Sequence, residues 1–356
     1  MDSMQKSGLH RADAGAGAGP GEVARSIPGP SGVLRGMRPA AAWKRFRRWA
    51  PLLVLVALCI GLSIANARFM EPRNLVRVAG MAAVPLTIGI GETLIILLGS
   101  IDLSVEGMVA ISAMVLVLLG GNDSNSNDLG WFAALAAIAV TVAMGLVNGL
   151  VQTVLRIPSF MATLGMWFIC LGAATFMLGG SAVRLTDMNL RGLVLGRFAG
   201  APLSVWIAIA ALLLAAFIQY RTRLGRHIIA IGGAEEIAEL SGIRTKRVRV
   251  MAFGLAGFFY GLAGILSAAQ LGQSNAVIGD GRLFTAVTAV VVGGTALTGG
   301  EGGVVNTLIG VLIVTVLGNG MILLGISPYV QETVQGLMII GAVALTLDRK
   351  LLRIVK

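Results

Sequence analysis

The chain has 356 residues, 56% of them hydrophobic and only 13% charged, with a net charge of +11. Soluble domains carry about 25% charged residues, so a soluble fold is excluded and the composition reads as an all-α polytopic membrane protein. The basic excess does not signal nucleic acid, which would need a soluble basic face; here Lys and Arg flank apolar runs, as topology signals and contacts to membrane lipid.

Residues 1–42 are rich in Gly, Ala, Pro and Ser, as in Ala14-Gly15-Ala16-Gly17-Ala18-Gly19-Pro20. Such a stretch cannot offset its ordering entropy, so a disordered cytoplasmic tail is expected. Trp43-Lys44-Arg45-Phe46-Arg47-Arg48-Trp49 follows, a basic aromatic girdle at the membrane surface. The first apolar run, 51–67, ends in Ala65-Asn66-Ala67, which imitates a signal-peptidase site. The long preceding tail and the many later runs make it an uncleaved first span.

Further apolar runs lie near 76–98, 107–120, 130–154, 159–179, 202–219, 248–270, 284–297, 303–324 and 329–347. The expectation is about ten transmembrane helices. Several runs fall short of the roughly 20 residues that cross a bilayer, and 107–120 and 284–297 read as broken or re-entrant helices. The transmembrane domain is expected over 43–350, with a cytoplasmic loop at 221–247 and a C-terminal tail at 351–356.

Basic residues cluster at Lys44–Arg48, at Arg221–Arg249 and at the C-terminal end. By the positive-inside rule both termini and the 221–247 loop are expected on the cytoplasmic side. Arg68, Arg73, Arg77, Arg184, Arg191 and Arg197 fall on the outer side in this scheme and do not fit the rule.

Leu97–Gly107 places Asp102 and Glu106 between two apolar runs. An acid costs about 3 kcal/mol or more at a bilayer centre, so the segment leaves the membrane or lines something polar. The orientation puts it near the inner gate, with Asp102 as a turn or helix-start acid. Glu92, Asn148, Asn306, Asn319 and Glu332 are the other polar residues deepest in apolar runs. Glu92, Asp102, Ser104, Asn148, Asn306 and Asn319 are therefore candidates for a translocation path or gate, with interhelical bonding as the plainer role for the asparagines.

Gly254, Gly257, Gly261 and Gly264 share one helix face by their 3-4-3 spacing, as close packing in lipid requires. Gly293–Gly303 is glycine-rich but lacks the Lys-Ser/Thr of a phosphate loop; it reads as a tight turn between membrane segments. No catalytic or metal site is expected: Cys59 and Cys170 sit in apolar runs, and His10 and His227 are isolated.

The second strong signal is Ala234-Glu235-Glu236-Ile237-Ala238-Glu239-Leu240-Ser241-Gly242. Good helix formers end at a glycine stop, with Gly232 and Gly233 expected before the helix. Ile237 and Leu240 share a face and three glutamates supply charge, which suits docking into a groove on a cytosolic partner.

A faint internal repeat is present in two alignments. One pairs Gly99–Val109 with Gly294–Val304; the other pairs Asn148-Gly149 and Pro158 with Asn319-Gly320 and Pro328. Their offsets differ by about one span.

Several motifs together resemble the permease subunits of ribose-type ABC sugar importers. They are Gly99–Val105, Gly145–Gly149 with Ile157–Gly165, Ala238–Ile243 with Ala256-Gly257 and Gly261–Gly264, and Ala289–Thr295 with Gly299-Gly300. The resemblance spans about 70–347. It departs at Glu106-Gly107, where the family pattern has glycine followed by a small residue. It implies a cytosolic ATPase that binds ATP and magnesium in place of this chain. It also implies a bacterial inner membrane, an extracytoplasmic sugar-binding protein, a second permease chain forming a homodimer, and Ala234–Gly242 as the ATPase-coupling segment. The competing reading is an ion-coupled secondary transporter working through Glu92 and Asp102.

Overall fold

The computed structural model describes residues 38–346, so residues 1–37 of the expected N-terminal tail and the expected C-terminal tail lie outside the described residues. The chain divides by its internal contacts into residues 1–46 and 47–356. The first unit contributes the start of helix α1 (Arg38–Ala65); the account below concerns the second. Because α1 begins at Arg38, it takes in residues 38–42, which composition had assigned to the tail. Ala40, Ala41 and Ala42 are strong helix formers and extend the span backwards.

Every expected apolar run carries a helix: α2 (Pro72–Leu97), α3 (Val105–Leu119), α4 (Trp131–Val154), α5 (Ser159–Leu178), α7 (Leu203–Arg221), α10 (Thr245–Leu271), α11 (Arg282–Val292), α12 (Val304–Leu323) and α13 (Pro328–Thr346) follow α1. Six of these, α2, α4, α5, α7, α10 and α12, are long and apolar enough to cross a membrane unaided. The 107–120 run is the 15-residue α3, and the 284–297 run shrinks to the 11-residue α11, which ends at Val292. At 1.5 Å per residue α11 spans about 16 Å, half a bilayer core.

Three further helices lie between the spans: α6 (Met188–Leu195), α8 (Arg223–Gly233) and α9 (Glu235–Leu240). The only strands among the described residues are two-residue pairs, β1 (Val183–Arg184) with β4 (Gln273–Ser274) and β2 (Arg197–Phe198) with β3 (Ala201–Pro202).

The order of helix lengths repeats. The helices α2, α3, α4 and α5 have 26, 15, 24 and 20 residues. The helices α10, α11, α12 and α13 have 27, 11, 20 and 19. The packing repeats with it: α10 lies on α2, α3 and α4, and α2 lies on α10, α11 and α12. The Asn148–Asn319 alignment follows this repeat, placing α4 on α12. The Gly99–Gly294 alignment is one span out of step, and the structure shows why the residues still match. Both helices end in the same turn: Gly99 N–H donates to Ile96 and Ser100 N–H to Ile95, as Gly294 donates to Val291 and Thr295 to Val290. Both glycines have positive φ, as this helix stop requires.

Small residues hold the centre together. A Cβ on Gly257 would overlap the Thr141 carbonyl, and one on Gly254 would strike Leu146 at 2.6 Å. Gly261 meets Thr141 as well, so these three face α4. Gly264 faces α3 instead, at Val109 and Ser112. From the other side Gly145 and Gly149 of α4 lie against Phe253 and Val250. Contact at backbone distance is how helices associate in lipid without a hydrophobic drive. Cys170 is buried and Cys59 half-buried, both as free thiols.

Candidate functional site

The α2–α3 break, residues 98–104, is tied down by groups from three other helices, α4, α5 and α10. The Ile101 N–H donates to Ser159 Oγ (3.1 Å) and the Leu103 N–H to Thr163 Oγ1 (2.9 Å), both on α5. Asn148 of α4 donates to Ser104 Oγ (3.0 Å). Asp102 accepts from the Ser104 N–H (2.8 Å) and from its hydroxyl. Motifs separated by some 50 residues in sequence thus form one polar knot. Asp102 is a helix-start acid as its position implied, but it is enclosed in the protein rather than facing water.

Glu106, where the chain departs from the family pattern, has a defined task. Its carboxylate accepts the Leu283 N–H (3.2 Å) in the first turn of α11, and Gly279 lies against its backbone. A carboxylate at a helix start satisfies an otherwise unpaired donor and opposes the helix dipole.

Glu92 sits one layer further in on α2, fully enclosed. Tyr260 of α10 packs against the neighbouring Gly91 and is equally enclosed. The carboxylate oxygens of Glu92, Oδ2 of Asp102 and the Tyr260 hydroxyl have no hydrogen-bond partner among the described residues. A buried carboxylate without a partner, beside a second acid bonded through one oxygen only, is costly in an apolar core. The structure therefore brings Glu92, Asp102, Ser104 and Asn148 to one region, joined by Tyr260, which sequence reading had not singled out.

The other two asparagines lie elsewhere. Asn319 exchanges reciprocal hydrogen bonds with Asn74 (2.9 and 3.0 Å), clamping the end of α12 to the start of α2. Asn306 is half-buried in the first turn of α12, where its carbonyl lies against Gly293.

The 221–247 segment holds two helices rather than one. Gly232 and Gly233 precede the short helix α9 as expected and at the same time end α8, with Ala234 the cap between the two. The glycine stop at Gly242 has φ +82°. On α9 only Ala238 is buried, while Ile237 and Leu240 are 65% and 89% exposed. Glu235 and Glu239 are turned back onto the protein: Glu235 pairs with Arg249 at 2.6 Å and Glu239 accepts from Thr245 at 2.6 Å. Ser241 donates back to Ile237 within the same turn. Glu236 is exposed beside the two apolar residues.

Arg249 is the residue that links these regions. One guanidinium nitrogen holds Glu235 of α9; the other donates to Ser100 Oγ (2.9 Å) in the α2–α3 break and to Gln152 Oε1 (3.1 Å) on α4. The flat fork of arginine suits such divided contacts, which a lysine cannot reproduce. A second connection is made of backbone alone. Gly232 fits against the Leu97 carbonyl and the Gly300 N–H, and Gly300 itself donates to Leu97 (3.0 Å). Gly99 and Gly299 meet at the same point. The glycine turn that ends α2 and the Gly299-Gly300 turn between α11 and α12 therefore both rest on the end of α8.

Comparison with known proteins agrees with this architecture. Residues 74–343 match a family described as branched-chain amino acid transport system, permease component. The chain is 36% identical over 323 residues to a probable ABC transporter permease protein, YphD, of Escherichia coli K12, covering 90% of this chain and 95% of that one. It is also 36% identical over 296 residues to the ribose import permease protein RbsC of the same strain, covering 82% and 90%. The D-allose transport system permease protein AlsC of that strain is 31% identical over 309 residues, covering 86% and 92%.

Proposed function

The chain belongs to this family of transport-system permease components, a multi-pass inner-membrane protein, and from that premise we propose that it forms the import path for a monosaccharide or related polyol. The relatives named for ribose, allose and galactose support that substrate class. An extracytoplasmic binding protein delivers the sugar, and a separate cytosolic ATPase binds ATP and magnesium and drives transport, with no nucleotide hydrolysed by this chain. Two copies of the permease form the path, and both termini and α8–α9 face the cytoplasm.

The observation that carries this reading is α9. It presents Ile237, Leu240 and Glu236 outward, and Arg249 fastens its inner side to the α2–α3 break. A short amphipathic helix of this kind is a docking knob for a groove on a partner. Movement of the ATPase would shift α9, and Arg249 with the Gly232 junction would pass the shift to the loop holding Asp102. Interfaces of packed backbone respond by switching between discrete arrangements rather than by deforming continuously.

The test is reconstitution of the chain with its ATPase and binding protein in proteoliposomes. Uptake should require ATP inside and the loaded binding protein outside, and should survive ionophores that collapse proton and sodium gradients. Uptake by the permease alone, abolished by those ionophores, would instead establish the ion-coupled reading through Glu92 and Asp102.

A further inference from the structure

The site described so far leaves a cavity of about 600 Å³ between α11 and α13 without a role. Arg282, Thr285 and Thr288 line it from α11, and Gln331, Glu332 and Gln335 from α13. The spacings i, i+3 on one helix and i, i+4 on the other put these groups on facing surfaces. Nothing in the charge pattern of the chain required them, and the cavity lies away from the Glu92–Asp102 region.

Its depth follows from two packing contacts. Gly264 of α10 meets Val109 and Ser112 of α3, and Glu106, one turn nearer the start of α3, meets Gly279 and Leu283. The start of α11 therefore lies within the helix layer, about 15 Å below the outer end of α10 by helix rise. Residues 272–281 dip into the membrane, and the half-helix α11 runs inward from there. Broken helices at mid-membrane are where transporters place their binding groups.

The chemistry of the lining suits a neutral polyhydroxylated molecule. Thr285 and Thr288 donate to the Gly281 and Phe284 carbonyls (3.0 and 2.6 Å), which leaves their oxygens as acceptors. Gln331 donates to Ile326 (2.8 Å), leaving its carbonyl oxygen free to accept. Arg282 uses Nε on the Ile278 carbonyl (3.0 Å) and keeps its terminal nitrogens as donors. Among the described residues neither Arg282 nor Glu332 is in an ion pair, and Gln335 makes no hydrogen bond. Unpaired polar groups in membrane helices face water or a substrate path. Interspersed donors and acceptors match vicinal hydroxyls, each of which gives and takes a hydrogen bond, and Phe284 offers an apolar surface to the C–H side of a sugar ring.

We propose that this α11–α13 cavity is the sugar-handling site of the membrane path, with Thr288, Gln331, Glu332 and Gln335 contacting hydroxyls of the passing sugar. The proposal rests on the importer reading above, and in that orientation the cavity opens outward. Affinity here is low, because a path must release what it receives.

The experiment uses the complete reconstituted complex and D-ribose, D-allose or D-galactose, whichever the wild type imports. Gln335→Leu combined with Thr288→Val should lower uptake at least tenfold while ATP hydrolysis stimulated by the loaded binding protein stays within twofold of wild type. Unchanged uptake overturns the proposal. Should the double variant fail to assemble, Gln335→Cys in a chain carrying Cys59→Ser and Cys170→Ala decides. An impermeant thiol reagent added outside should label it, and the imported sugar should slow labelling at least threefold where leucine does not. Absence of labelling, no protection, or protection by leucine overturns the site. Failure of the wild-type complex to import any of the three sugars with ATP refutes the importer reading instead, so the two failures are distinct.

Discussion

In the half built from α2–α5, the short helix α3 is enclosed by α4, α5 and α10, and its preceding loop is held by side chains of α4 and α5. In the half built from α10–α13, the matching helix α11 has 11 residues against 15 and one side stands open on a polar cavity. The missing residues amount to about 6 Å of helix. That difference leaves the start of α11 within the helix layer, capped by Glu106 from the other half. One helix order thus encloses its short helix in the first case and leaves it open on one side in the second, with α8 resting on the end of α2 and on the Gly299-Gly300 turn.

The largest expected effect breaks the scaffold. Gly257→Leu would drive a side chain into the Thr141 backbone, and overpacking of this kind costs about 1–3 kcal/mol or more. Folded protein recovered in detergent should fall sharply. Gly318→Ala on α12, where a Cβ meets open space, should leave recovery intact or improve it, since alanine favours a helix over glycine by about 1 kcal/mol. Equal loss from both would show that the glycine face is not what seals the first half.

Next in size is the link between the scaffold and α9. Arg249→Ala leaves Glu235, Ser100 and Gln152 without their shared donor. Transport should drop at least tenfold while ATP hydrolysis by the assembled complex continues. Arg249→Lys keeps the charge but not the fork and should recover only part of the transport. Full transport by the lysine variant would show that charge alone suffices.

The two buried asparagines give a finer comparison. Asn148→Ala removes one buried hydrogen bond and Asn319→Ala a reciprocal pair, each lost bond costing about 1–3 kcal/mol of stability, readable as thermal unfolding in detergent. Only Asn148 touches the loop holding Asp102, so only its variant should lower transport per folded molecule. Reduced transport by Asn319→Ala to the same degree would make the Asn74–Asn319 clamp part of the moving path.

Much of this was legible in the residues, and the gaps have physical causes. Hydropathy located every membrane helix because apolar runs are separated by glycine stops and polar turns. The glycine stripe on α10 was visible from spacing, though not that Gly264 serves α3 while the others serve α4. Arg249 was hidden within the basic run Arg244–Arg249, where its neighbours serve as topology signals. Its distinguishing mark is its place at the membrane edge of α10, where a side chain turns inward. Gln331 and Gln335 carried a readable signal, an i, i+4 amide pair beside Glu332 in an apolar segment, but the partner surface on α11 exists only after residues 272–281 fold into the membrane. Tyr260 looked like one aromatic in a glycine-rich span; its proximity to Glu92 depends on the close approach of α2 and α10.

The smallest effect concerns α9, and it separates docking from folding. Glu239 is bonded to Thr245 and Glu235 to Arg249, so reversing either charge disturbs the protein itself. Glu236 and Leu240 are exposed and make no such bond. Glu236→Arg with Leu240→Ser should therefore change stability by no more than about 0.5 kcal/mol, as exposed substitutions do. The same pair should weaken association with the ATPase several-fold, measured as subunit retained on an immobilised permease. Glu236→Arg with Glu239→Arg should show that weakening plus a fall in unfolding temperature. Normal retention of the ATPase by both variants would move the docking surface off α9 and leave Arg249 as a purely structural clamp.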